Sequence, residues 1–137
     1  MKKQKYLDNY LLNFFMQCNS LKHLLEILET ICIVQDLKYL NKRTKSFEYF
    51  RFTFFGLMEK VKNILGYILF KAESLKEKYL KIQEIYPKLL QLKQEVFEID
   101  ELIKNKEMKK VRENIIKISQ EYSKIFEEIN EMIEEYA

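Results

Sequence analysis

Residues 108–136 read MKKVRENIIKISQEYSKIFEEINEMIEEY. Within them Met108, Val111, Ile115, Ile118, Tyr122, Ile125, Ile129, Met132 and Tyr136 step alternately by three and four. Steps averaging about 3.5 residues hold one stripe of a helix against a partner, the pattern of a coiled-coil seam. Ile116, Phe126 and Ile133 widen that stripe beyond a two-stranded seam, which suits the interior of a bundle. A helix of this kind cannot stand alone. The rest of the chain must supply its partners.

Working back from this segment, Asn105-Lys106 forms a short polar connection, with Asn105 expected to cap the last helix. A connection this short folds the last helix antiparallel onto its predecessor. That predecessor carries Leu75, Tyr79, Ile82, Ile85, Leu89, Leu92, Val96, Ile99 and Ile103. Two successive steps of three meet at Ile82, a phase slip, and Pro87 lies beside it. Proline lacks a backbone donor and clashes with the preceding turn, so a kink or break is expected near residues 85–86.

Further upstream, Phe47, Phe50, Phe54, Leu57, Val61, Leu65 and Ile68 keep helical spacing. Phe50, Phe52 and Phe54 alternate as a strand would, but no partner strand exists elsewhere in the chain. Gly56 and Gly66 lie inside this helix and are read as allowing a neighbouring helix to come close. Residues 41–46 contain no hydrophobe and form the clearest loop, with Thr44 or Ser46 as cap. Tyr6, Tyr10, Phe14, Cys18, Leu21, Leu25, Leu28 and Cys32 mark the first helix, with a soft spot at Asn19-Ser20.

The fold these patterns predict is all-α. It is one antiparallel up-down four-helix bundle spanning 1–137, with helices over about 6–39, 46–72, 74–104 and 107–136. No breaker separates Phe70 from Glu77, so the alternative is that helices two and three run on as one rod to Pro87. Composition agrees with helices. Two Gly and one Pro among 137 residues leave turn-rich β architectures without their turns.

A net charge of +3 conceals an asymmetry, because residues 1–72 carry +6 and residues 73–137 carry −3. From Ser119 onward there are six acidic residues and one base, Lys124. Cys18 and Cys32 sit fourteen residues apart, about 21 Å along a helix, too far for a disulfide between them. Two unpaired thiols, polar interruptions in the N-terminal segment and no long apolar run predict a cytoplasmic protein that does not span a membrane.

Catalytic patterns are hard to find. His23 is the single histidine, and His23 with Glu26 makes one turn of a site that di-iron bundles build from several. Cys18, His23 and Cys32 are too spread along one helix to hold zinc, so no metal and no cofactor are expected. Helical ribonucleases of the HEPN type place a His four to six residues after an Arg, and none of Arg43, Arg51 or Arg112 has one. Glu127 with Glu128, Glu134 with Glu135, and Asp100 with Glu101 read as solvated surface rather than an acid–base pair.

The segment that stands out is 42–55, KRTKSFEYFRFTFF, where bases and aromatic rings interleave. Phe47, Phe50 and Phe54 belong to the core stripe, which leaves Tyr49, Phe52 and Phe55 on another face. The expectation is a non-enzymatic interaction module, an adaptor, chaperone-like holder or small assembly subunit, binding a protein or a second copy. Tyr49, Phe52 and Phe55 are its anchors, since aromatic residues dominate interface energetics. The alternative is an RNA- or DNA-associated subunit, with Lys38, Lys42, Arg43, Lys45 and Arg51 on phosphates and the rings stacking on bases.

Overall fold

The computed structural model describes residues 8–34 and 44–136, and for residues 34, 44–53, 108 and 136 it describes the backbone alone. Among the described residues four helices follow one another: α1 Asn9–Val34, α2 Thr44–Leu75, α3 Leu80–Lys104 and α4 Met108–Tyr136. They form a ring. α1 packs on α2 and α4, and α3 packs on the same two. The fold is therefore the all-α antiparallel bundle that the spacing predicts, with no strand among the described residues.

Each helix buries one row whose steps alternate three and four. In α1 the row is Leu11, Phe14, Cys18, Leu21, Leu25, Leu28 and Cys32. Tyr10, expected in it, is 60% exposed and Leu11 takes its place. The reason is phase: Tyr10, Phe14 and Cys18 would need two successive steps of four, whereas Leu11 keeps the alternation. In α2 the row runs from Phe54 through Met58, Val61, Leu65 and Ile68 to Leu75. Met58 replaces the expected Leu57, which is only half-buried, for the same reason. α3 buries Ile82 to Ile103 and α4 buries Val111 to Met132 on the expected rows. Phe126 and Ile133 join them from the widened stripe of α4, while Ile116 stays half-buried.

α1 starts where Asp8 caps it, its Oδ1 accepting the Tyr10 N–H at 2.9 Å. The ends expected at Tyr6 and Tyr39 lie outside the described residues. α2 begins at Thr44, two residues before the expected start, and runs to Leu75.

Helices two and three are not one rod. The chain turns at residues 76–79, where the N–H groups of Lys78 and Tyr79 both donate to the Leu75 carbonyl at 3.0 Å. Tyr79 is extended, at φ −123 and ψ 115, and its ring is buried. Lys78 Nζ reaches Asp8 Oδ2 at 2.7 Å and ties the turn to the start of α1. The phase slip at Ile82 thus marks a junction between two helices. The break expected at residues 85–86 does not occur, and α3 continues through Pro87. The proline ring is exposed, so its penalty is confined to one missing donor and local crowding in the second turn.

Asn105 also plays a different part from the one expected. It is the C-cap of α3, not the N-cap of α4. The Lys106 N–H donates to the Ile103 carbonyl at 3.0 Å and the Glu107 N–H to the Leu102 carbonyl at 2.9 Å. With Lys106 left-handed at φ 57, this is a Schellman motif that satisfies two carbonyls at the helix end. Nor are the two glycines pressed by neighbours. A Cβ at Gly56 or Gly66 would meet nothing within 4 Å, because both face outward.

Candidate functional site

Two flanks of α2 can be told apart by what they touch. Tyr67 Oη donates to Asn13 Oδ1 of α1 at 3.1 Å, and Lys71 lies over the rings of Tyr10 and Tyr67 at 4.5 and 5.4 Å. Lys62, in contrast, pairs with Asp100 of α3. On α1, Phe15 stacks on Phe126 of α4 with centroids 5.7 Å apart, so the opposite flank of α1 looks toward α2.

Heptad spacing carries these assignments along each helix. Leu24 and Ile31 continue the row of Tyr10, and Leu57 and Ile64 continue the row of Lys71. All four are half-buried and packed against the core. They floor a seam between α1 and α2. Ile27, on the row of Asn13, flanks it from α1 at 48% exposure, Tyr67 flanks it from α2, and Met16, 58% exposed, stands one row further out on α1. Asn63 and Gly56 share the next row of α2, which ends in Phe70 at 74% exposure.

The outer surface of α1 is nearly free of charge. Twelve of its described positions are exposed, and among those Glu26 is the one carboxylate or ammonium. Among its described positions α4 also exposes twelve, and ten of those are Lys, Arg or Glu. Both helices face outward in the same bundle, so solvent alone does not account for the difference.

The side made by α3 and α4 carries more charge, although α3 also exposes Leu80, Leu90 and Phe97. A groove of about 750 Å³ runs between them, past Pro87, Gln91, Glu95, Glu121, Lys124 and Ile125. Lys88 and Glu128 bridge the helices at 3.1 Å. Partial burial, and then the neighbouring Glu121 carboxylate, push the Glu95 carboxyl above the ordinary glutamate range. Lys117, 3.8 Å from Glu121, tempers this repulsion.

The residues expected to form the site fall only partly among the described ones. Lys38, Lys42 and Arg43 lie outside the described residues. Lys45, Tyr49, Arg51 and Phe52 belong to the first turns of α2, where the backbone alone is described. Heptad phase puts position 49 on the Gly56–Asn63–Phe70 row, beside the seam, and position 52 on the row of Glu59 and Gly66. Phe55 falls on the row of Lys62, toward α3, and is half-buried against the core. The three anchor positions therefore lie on three different rows.

The remaining candidates are dispersed. His23 is exposed, with Nδ1 3.9 Å from Glu26. Cys18 and Cys32 are buried and free. Among the described residues no three His, Cys, Asp or Glu side chains gather as a metal would need, and no helix is long and apolar enough to cross a membrane. Sequence reasoning missed Met16, Ile27, Lys60, Asn63 and Tyr67, the residues that shape the seam. Comparison with family models, with curated proteins and with solved structures returned no match to this chain.

Proposed function

We propose that the protein is a non-enzymatic interaction module that binds a protein partner through the helical face formed by α1 and α2. The observation behind this reading is the contrast between the exposed described positions of α1, one of which is charged, and those of α4, ten of which are. Charged residues are depleted at the centres of protein interfaces, because a charge desolvated without a partner is costly. Exposed Met16, Ile27 and Phe70 supply the apolar contact such an interface uses. Position 49 continues the row beside the seam toward the start of α2, whereas positions 52 and 55 lie on rows turned away from it.

Affinity capture of the tagged chain from its own cells, at moderate salt and with or without nuclease, tests the reading. One protein should come down regardless of nuclease and be lost with Met16→Glu or Ile27→Glu, both of which leave helicity intact. Replacing Tyr49, Phe52 and Phe55 together by Ala should weaken the same capture. Recovery of nucleic acid instead, weakening steeply with salt and lost when Lys38, Lys42, Arg43, Lys45 and Arg51 are neutralised, would move the function to a nucleic-acid-associated subunit.

A further inference from the structure

Given the protein-binding face on α1 and α2, on which this inference rests, the charge of the seam narrows what can fill it. From Tyr10 to Ile31 the seam extends about 32 Å, the length of a helix of some twenty residues. Its floor is largely aliphatic, with Leu24 and Ile31 from α1 and Leu57 and Ile64 from α2, and Gln17 is the polar member of the α1 row. No Asp or Glu occupies the rows that line it, and its two charges are both lysines. Lys71, near one end, is spread over the rings of Tyr10 and Tyr67. Lys60, about midway along it and level with Ser20, is exposed, and no ion pair or hydrogen bond reaches it among the described residues. Its neighbour Glu59 turns away to Lys62, at 3.1 Å.

We propose that the seam holds one amphipathic helix of a partner protein, apolar along the face it buries and bearing a carboxylate that meets Lys60. Such a helix satisfies the one cation that burial would otherwise strand, and its apolar row covers the half-buried aliphatic side chains along the line where α1 meets α2. A second copy of this chain fits less well. Two such faces laid together would oppose four lysines with no acid between them, and the surface of α4, which carries as many exposed bases as acids, exposes no large hydrophobic residue among those described. The open space over Gly56 leaves room for the incoming helix to approach the α2 backbone.

The probes are two synthetic helical peptides of about 21 residues, matched to the seam length. Both carry Leu and Ile at three-four spacing and differ only in one residue on the buried face, Glu or Lys. Titrated with the full chain at moderate salt and followed by fluorescence anisotropy, the Glu peptide should bind at least about tenfold tighter. Lys60→Glu should invert that preference, and Ile27→Glu should remove both complexes without changing the far-ultraviolet circular dichroism. Gln120→Glu, on α4, should change nothing.

The proposal is overturned if neither peptide binds, if both bind alike, or if the preference survives Lys60→Glu. A concentration-dependent dimer in sedimentation velocity, abolished by Ile27→Glu, would overturn it in favour of a second copy. Flotation with phosphatidylserine vesicles, abolished the same way, would overturn it in favour of a membrane. Cellular capture that Ile27→Glu abolishes, with no charge preference among the peptides, sinks the acidic helix but leaves the protein-binding face standing. Capture that Ile27→Glu leaves intact sinks the face itself.

Discussion

Lys106 holds a conformation that an L-residue with a side chain adopts at a penalty of about 1 kcal/mol, because its Cβ crowds the carbonyl. Lys106→Gly should therefore stabilise the protein by about that much, read as a higher urea midpoint at unchanged m-value. Gly66→Ala should add a further ~1 kcal/mol, since the new methyl meets no neighbour and the helix loses its most flexible residue. Burial pushes the Cys18 thiol up to about 12 and the Cys32 thiol up to about 11. Each is held protonated by the fold, so its contribution is fully present below the ordinary thiol value of 9.0 and is lost as pH rises through the folded one. Both should resist a thiol reagent at pH 8 until urea unfolds the chain, and stability should decline above about pH 9. That the two thiols cannot meet is legible in their spacing. That Lys106 is left-handed is not, because the usual sign of that conformation is a glycine and none is there.

At the level of helices, the four buried rows follow directly from three-four spacing, and errors of one residue arise where an adjacent hydrophobe competes. Leu11 stands next to Tyr10 and Met58 next to Leu57, and strict alternation chooses the buried member of each pair. The junction between α2 and α3 is harder to read. It contains no Gly or Pro, and its only sign is the pair of three-residue steps at Ile82. Proline draws the expected break several residues too late, because a proline in an exposed second turn is tolerated at a penalty rather than forbidden. Pro87→Ala should recover part of that penalty, raising stability by about 2–3 kcal/mol, provided the ring makes no compensating contact in the groove. Calorimetry of the two proteins measures it, and an unchanged midpoint would mean that the groove holds the ring in place.

Across the whole molecule, charge is sorted by side. On the ionic side, the raised Glu95 carboxyl favours the protonated form, so its contribution is present below the ordinary value of 4.5 and is lost as pH rises through its folded value. Asp8 works in the other direction. Its hydrogen bond from Lys78 lowers it, and its contribution fades as the solution is acidified. Glu95→Gln should remove the first effect alone, so that urea midpoints at about pH 4.5 and pH 7.5 shift relative to each other toward the neutral condition. The apolar side escapes a reading of the sequence because it is defined by charges that are missing rather than by a motif. A cluster of rings and bases attracts the eye at 42–55, whereas Met16, Ile27, Asn63 and Tyr67 become one surface only when two rows from two helices are laid side by side. The four rows also share one alternation, so a helix displaced by a whole heptad would meet almost the same aliphatic lining. Tyr122 breaks that degeneracy. Its ring lies beside the narrow Cys18, and its hydroxyl donates to the Cys18 carbonyl at 2.6 Å. One heptad either way it would confront Leu11 or Leu25, bulkier than a thiol. A small sulfur at one level of α1 thus serves as an index mark against which the sliding scale of the bundle is set.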